Sequence, residues 1–195
     1  MGNASTEVQQ KLDESSLWFV HAQTVKSLRT FTLEQILEIS LEAARKTQRG
    51  YEPKIHTRTE GDLQLPAANL VFIHDALFVA LGNVARHSGL KAPNIDITCR
   101  SDSDNDTLEI EVISECKLSL REQKAADADK SRERIEGGAS TDVTRLEGGT
   151  GFAKLAAVIN QNSRANLSFG FMDDGKFRLQ VVYAIIRPAE LLTEG

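Results

Sequence analysis

The sequence predicts an α+β fold, a two-layer α/β sandwich in which helices cover one face of a mixed, mostly antiparallel sheet. Segments with apolar residues at helical spacing are interspersed with segments that alternate apolar and polar residues, and most of the alternating segments come in hairpin pairs. Because hairpins join antiparallel neighbours, this order argues against a doubly wound fold built from βαβ units. At 195 residues, the chain can form one well-buried domain with an extension.

The first 31 residues are predicted to form a helical arm, partly disordered, ahead of the domain. Residues 1–14 are polar and have no packing stripe. An apolar cluster between Leu17 and Phe31 is consistent with a helix or a docking arm. If that cluster is exposed, its size would mark an association surface.

A helix and two extended pieces follow the arm. Thr32 is typical of an N-cap, with Gln35 at the third helical position, and apolar residues recur at helical spacing to about Lys46. Residues 54–58 alternate like a strand, and residues 61–66 supply another short extended piece.

A long helix is predicted from about Ala68 to His87. Gly89 follows it as a natural helix C-cap. The apolar positions of this helix fall on one face, which consists of Ile73, Leu77, Ala80, Leu81 and Val84.

Two hairpins form the rest of the predicted sheet. Residues 95–99 and 108–112 alternate on either side of a polar turn, which is the pattern of a half-buried antiparallel pair. Residues 167–171 and 177–186 form a second hairpin around an Asp-Asp-Gly turn.

A charged segment and a short helix separate the hairpins. Residues 117–147 contain many charges and almost no periodicity, and a structureless stretch of that length is typical of a functional lid or a disordered insert. Residues 151–159 then have the apolar spacing of a helix.

Composition restricts the classes of function. A formal net charge of −5 and an isoelectric point near 5.4 argue against a nucleic-acid binder, since affinity for a phosphate backbone needs a basic face. No apolar run is long enough for a membrane span. Cys99 and Cys116 have neither metal-ligand spacing nor a disulfide framework, which favours a reducing cytoplasm.

Two separated motifs predict a phosphate-binding site. The long helix ends with Asn83, Arg86 and His87, an amide followed by two basic groups. Glycines let a backbone approach phosphates closely, and the free N–H groups of a helix N-terminus point at them. The glycine-rich segment that opens the later helix contains Gly148, Gly149, Thr150, Gly151 and Phe152, with Lys154 one turn further on.

The motifs, the hairpins and the charged segment together resemble the histidine-kinase-like ATPase superfamily, also called GHKL or Bergerat-fold proteins. The resemblance covers about residues 32–187, with a lid at about 117–147 and a C-terminal tail at 188–195. It implies that the domain binds ATP with Mg²⁺. Asn83 would ligate the magnesium, and Arg86 and His87 would contact the phosphates.

The chain departs from the family pattern at two places. The family has an Asp-x-Gly-x-Gly segment after the second strand of the central hairpin, whereas here Ser114 stands at the aspartate position and no glycine follows closely. Ser114 would then make the adenine contact, and a neutral hydroxyl binds more weakly than a carboxylate. Val79 stands one turn before Asn83, where active members carry a carboxylate or an amide. Valine can neither activate nor orient water, so we expect little or no hydrolysis.

Each candidate residue also has an interpretation without a ligand. Asn83 could bond nearby backbone at the helix end, and the glycines could form an ordinary turn before a helix. Arg86 and His87 could be solvated residues that favour the helix dipole, and Lys154 is typical of a surface residue.

His21 lies upstream of the domain, where histidine kinases carry their phosphoacceptor helix. The acceptor is normally followed by an acidic residue, and Ala22 follows here. We therefore expect a packed or surface histidine.

The leading hypothesis from the sequence is a regulatory domain that binds ATP with magnesium and orders its lid. Binding would be reported to a neighbouring domain, to a protein partner or to a second copy in a homodimer. Two alternatives remain open: a nucleotide-free interaction and assembly module, and an active kinase or ATPase that uses an unconventional base such as Glu115.

Overall fold

The computed structural model describes residues 30–47, 51–61, 64–136, 151–159 and 165–186, which form seven strands and four α-helices. In chain order the elements are β1 (Thr30–Phe31), α1 (Leu33–Thr47), β2 (Lys54–Glu60), β3 (Leu65–Pro66), α2 (Ala68–His87), β4 (Asn94–Asp102), β5 (Thr107–Ser114), a 3₁₀ turn (Leu118–Leu120), α3 (Arg121–Glu136), α4 (Gly151–Ile159), β6 (Asn166–Phe171) and β7 (Phe177–Ala184).

A reciprocal pair of hydrogen bonds starts α1. The backbone N–H of Gln35 donates to Oγ1 of Thr32 at 3.2 Å, and the backbone N–H of Thr32 donates to Oε1 of Gln35 at 3.0 Å. This is the capping arrangement that the sequence predicts. The inward face of α1 is apolar and buried, and it contains Leu33, Ile36, Leu37 and Leu41.

The main sheet has five strands in the order β2-β4-β5-β7-β6. β4–β5, β5–β7 and β6–β7 are antiparallel, as the hairpins predict. β2 and β4 are parallel and are joined through α2, which makes the sheet mixed and mostly antiparallel, as predicted. Sequence-local turn signals could not reveal this pairing because its partners lie far apart in the chain.

The two faces of the sheet differ in polarity. The face toward the helices is buried and apolar, whereas the other carries Arg100, Glu109 and Glu111. This arrangement confirms the predicted α+β sandwich with helices on one face. The buried strand residues include Ile95, Ile97, Cys99, Leu108, Ile110 and Val112.

Helix α2 has the bounds and the buried face that the sequence predicts. Gly89, with φ of +70°, follows its C-terminus. Near its N-terminus, the buried Asn69 donates from Nδ2 to the carbonyls of Pro66 and Ile186, both at 3.1 Å. Its Oδ1 accepts the backbone N–H of Ile186 at 2.8 Å, so Asn69 ties the chain beyond β7 to the start of α2.

The expectation of a structureless segment at 117–147 is wrong for 118–136, which form the 3₁₀ turn and α3. Ala128 is the buried side chain of α3. Because this helix has almost no apolar face, its sequence lacks the apolar periodicity from which a helix could be predicted. Residues 137–147 lie outside the described residues, as do 1–29 and the predicted tail at 188–195.

No helix within the described ranges is long and apolar enough for a bilayer crossing. Cys99 and Cys116 are free thiols, and burial raises the pKa of Cys99 to about 12.

Candidate functional site

The last two turns of α2 border a cavity of about 120 Å³. Its other walls come from the end of β5, from α3, from the start of α4 and from the β6–β7 hairpin. A single water needs only roughly 10–15 Å³ on this measure, so the cavity can admit part of a small ligand. Among the residues that the sequence singles out, Asn83, His87, Ser114 and Phe152 line this cavity together.

Asn83 has one paired and one unpaired group. Its Oδ1 accepts a hydrogen bond from Nη2 of Arg86 at 3.3 Å. Its Nδ2 is buried and has no hydrogen-bond partner among the described residues. Buried donors without partners are rare and destabilising. A ligand or a water that accepts a hydrogen bond from this amide would remove that cost.

His87 lies one turn beyond Asn83 on the cavity wall. Partial burial lowers its pKa, the positive charges of Lys124 and Arg86 lower it further, and Asp127 opposes them. The neutral imidazole is therefore favoured at pH 7. In this state His87 offers one donor and one acceptor but no charge.

Ser114 and Glu115 form the cavity wall at the end of β5. Ser114 is buried. The backbone N–H of Asn94 donates to Oε2 of Glu115 at 2.9 Å, and this bond lowers the pKa of the Glu115 carboxyl. A carboxylate with a lowered pKa is a weak base, which disfavours Glu115 as the proton acceptor of a catalytic reaction.

Aromatic rings form an apolar part of the cavity wall. Phe152 stacks on Phe169 with ring centroids 4.2 Å apart and on Phe177 at 6.3 Å. Phe171 meets Phe177 edge to face at 5.2 Å. Since Phe152, Phe171 and Phe177 all line the cavity, one side of it suits a flat apolar ring.

Helix α3 supplies cavity residues that the sequence did not indicate. Lys124, Asp127 and Ser131 line the cavity, and Nζ of Lys124 pairs with Oδ2 of Asp127 at 3.0 Å. Lys124 brings a positive charge to this wall. These residues were missed because α3 has no apolar period that would have fixed which of its side chains face inward.

The remaining predicted residues lie elsewhere. Arg86 and Lys154 are exposed, and neither is part of the cavity lining. Gly151 packs against Val79 of α2 rather than facing the cavity. The rest of the glycine-rich segment, Gly148, Gly149 and Thr150, lies outside the described residues.

The described ranges contain no group of three or more His, Cys, Asp or Glu residues that could hold a metal ion.

Comparison with known families identifies the domain. The model of the family described as "y4jQ C-terminal putative histidine kinase domain" matches residues 32–185. The chain belongs to this family. The start of the matched region coincides with Thr32, the N-cap of α1, and its end lies just beyond β7. No curated protein matches the chain in sequence.

Solved histidine kinase structures share the fold of this histidine-kinase domain. The catalytic domain of the histidine kinase ThkA, in a nucleotide-free form, is 13% identical with a TM-score of 0.55, over 79% of this chain and 95% of that chain. The histidine kinase AdeS of Acinetobacter baumannii is 14% identical with a TM-score of 0.52, over 93% of this chain and 81% of that chain. At such identities the likeness shows the fold, which confirms the predicted histidine-kinase-like ATPase architecture.

Proposed function

We propose that this histidine-kinase domain binds ATP with Mg²⁺ in the cavity and reports the bound state to a neighbouring domain or a second subunit. The observation that carries the proposal is the buried Nδ2 of Asn83 on the cavity wall, which has no hydrogen-bond partner within the described part of the chain. An acceptor on the ligand would satisfy this donor, so binding removes a penalty that the free domain bears.

The described residues fit the two ends of a nucleotide. The wall formed by Phe152, Phe171 and Phe177 suits a purine ring, and the buried Ser114 offers that ring a neutral hydrogen-bonding group. Lys124 offers the phosphates a positive charge, whereas the lowered pKa of His87 makes it a neutral hydrogen-bonding partner. Gly148, Gly149 and Thr150, which precede α4, would complete the phosphate side.

The metal role of Asn83 depends on Arg86. Nη2 of Arg86 holds Oδ1 of Asn83, and because Arg86 is exposed, it can turn into solvent and release that oxygen. Bound Mg²⁺ would neutralise charge on the phosphates. Arg86 would then serve as an alternate partner of Asn83 and as a phosphate contact, and Lys154 as a contact from α4.

We infer little or no hydrolysis. Val79 has no group that activates water, and Glu115 is a weak base because the Asn94 backbone N–H stabilises its charged form. A domain of this kind acts through occupancy rather than turnover.

Calorimetry and thermal unfolding with Mg-ATP test the proposal. Ligand at one hundred times its Kd stabilises the folded state by about 2.7 kcal/mol, which raises the melting temperature. Asn83→Ala should lose this shift, whereas Asn166→Ala, an exposed asparagine on the edge strand β6, should keep it. Wild-type protein that is folded but gives neither heat nor a melting shift would refute nucleotide binding.

A second function, a nucleotide-free assembly module, is favoured by the contact between Val79 and Gly151. This contact fills the space beside α2 with apolar groups where active relatives need a polar one. If this function is correct, Asn83→Ala leaves self-association or partner association unchanged, and Mg-ATP alters neither.

The proposed setting is a cytoplasmic protein in which residues 32–187 form the ligand-binding domain.

A further inference from the structure

Helix α3 forms one wall of the cavity but has little apolar surface with which to hold itself there. Ala128 is its buried side chain, and Ile135 packs partly against the core. A helix that is polar on nearly all sides gains little from burial, so other contacts must fix its position. The structure provides two such contacts, one near each end of the helix.

Arg132 fastens the C-terminal half of α3 to strand β6. Its Nη2 donates to the carbonyl of Phe169 at 2.7 Å, and its Cζ lies 5.7 Å from the centre of the Phe169 ring. Within the described ranges β6 is an edge strand, so a carbonyl on its outer side has no strand partner there. A Cβ on Gly170 would lie 3.1 Å from the same Nη2, so a glycine leaves room for the guanidinium.

Arg121 fastens the N-terminal end of α3 to the β6–β7 turn. Its Nη2 donates to the carbonyl of Asp174 at 3.1 Å. Gly175, with φ of +80°, lies directly beneath the guanidinium, and a Cβ at this position would overlap the Arg121 side chain. Arg121, Ala128 and Arg132 are seven and four residues apart, so they share one face of the helix.

We propose that Arg121 and Arg132 form a releasable latch that holds α3 against the β6–β7 hairpin and so controls access to the cavity. Both contacts use backbone carbonyls on a hairpin that also supplies cavity residues Phe171 and Phe177. Release of the two guanidiniums would free the wall made by Lys124, Asp127 and Ser131 while the sheet stays intact. The link to ligand access rests on the proposed nucleotide site, whereas the latch itself does not.

The latched state is held loosely enough to open. A positive charge in the first turn of a helix is opposed by the helix dipole, which disfavours Arg121 at this place. In addition, Nε of Arg121 is buried without a hydrogen-bond partner among the described residues. A helix with few buried apolar contacts opens at lower free energy than the core around it.

Hydrogen–deuterium exchange of the whole chain tests the latch. In Arg121→Ala/Arg132→Ala, amides of residues 122–136 should exchange at least tenfold faster, while amides of β4 and β5 keep their wild-type rates. Arg134→Ala is the matched control, because it removes an exposed arginine from the same helix. Unchanged exchange of α3 in the double variant, or an equal rise in Arg134→Ala, would overturn the proposal.

A conservative variant covers the case in which the double variant loses its fold. Arg132→Lys keeps the charge but lacks the planar group that stacks on Phe169 while bonding its carbonyl. A rise in exchange confined to α3 supports the latch, and no rise overturns it.

Stopped-flow binding of a fluorescent ATP analogue separates the two proposals. The double variant should bind severalfold faster than wild type. Faster α3 exchange without binding by any variant would support the latch and refute the nucleotide site. Binding at wild-type rates with unchanged α3 exchange would refute the latch alone.

Discussion

Val79 of α2 packs against Gly151, the first residue of α4. A Cβ atom on Gly151 would lie 2.9 Å from Cγ1 of Val79, closer than side chains normally approach. The two helices meet through an apolar contact in which the lack of a side chain on α4 leaves room for a branched side chain on α2.

Gly151→Ala should destabilise the domain through this contact. Its φ does not lie in the left-handed region, so crowding rather than backbone strain decides the outcome. We expect the free energy of unfolding to fall by about 1–3 kcal/mol, as for other overpacked sites. Urea denaturation of Gly151→Ala, Val79→Ala and the double variant measures the interaction free energy between the two positions. The double variant should recover part of the loss, and strictly additive losses would contradict the packing argument.

Asn83→Ala should stabilise the free domain. The substitution removes a buried donor that has no partner among the residues that the structure describes, and it replaces asparagine by the best helix former. The hydrogen bond from Arg86 that is lost is exposed and therefore weak. We expect a gain of about 1 kcal/mol in the free energy of unfolding, measured in urea without ligand. Asn166→Ala should not show this gain. A loss of stability in Asn83→Ala would mean that the amide has a structural role.

Arg100→Ala should weaken the open face of the sheet. Nε of Arg100 lies 3.0 Å from Glu60, and its Nη1 lies 3.3 Å from Glu109 and 3.9 Å from Glu111. Without this cation, Glu109 and Glu111 lose its positive charge, whereas Glu60 keeps its ion pair with Arg58. We expect a loss of about 1–2 kcal/mol at low salt, more than an isolated surface pair would give.

Salt separates this charge effect from a packing effect. At 1 M salt, screening should shrink the difference between Arg100→Ala and wild type. Arg178→Ala, an exposed arginine on β7, should change stability by less than about 0.5 kcal/mol at either salt concentration. A loss that is the same at both concentrations would contradict the electrostatic explanation.

Glu115 should contribute to acid sensitivity. The Asn94 backbone N–H lowers the folded-state pKa of this carboxyl, and Lys176 and Lys54 add smaller effects. A lowered pKa means that the contribution is complete above the unfolded pKa of about 4.3 and is lost as the pH falls through the folded value. Glu115→Gln should therefore flatten the decline in stability below about pH 5.

Urea midpoints between pH 3 and pH 7 measure this effect, with the exposed Glu133→Gln as a control. The same Glu115→Gln protein, assayed for phosphate release, addresses the alternative of an active ATPase. Release above background that disappears in Glu115→Gln would favour that alternative over a domain that acts by occupancy.

The sequence predicted those elements whose signals are local. Three of these signals depend on residues only a few positions apart. They are the alternation in β4 and β5, the Thr32–Gln35 cap and the one-sided apolar face of α2. The parallel pairing of β2 with β4 depends on partners about forty residues apart, such as Ile55 and Ile95, and no local pattern encodes it.

The cavity residues that the sequence predicted lie on α2, at the end of β5 and at the start of α4, and none lies on α3. Asn83, His87 and Ser114 were found from their positions in a motif, and the structure brings them to one cavity. Lys124 and Asp127 were missed because α3 is placed by Arg121 and Arg132, which bond to carbonyls about fifty and forty residues away in the chain. Such contacts depend on the fold and leave no periodic trace.

The hydrogen bonds of the buried Asn69 hold both ends of the described domain at the N-terminus of α2. Thr30–Phe31 pair with Leu65–Pro66 immediately before α2, and Ile186 is bonded to the first turn of the same helix. The ends of β1 and β7 thus both lie at the N-terminal end of α2. Asn83 lies about 21 Å away, near the C-terminal end of the same helix. A ligand in the cavity would therefore contact one end of the helix whose other end holds both flanking segments.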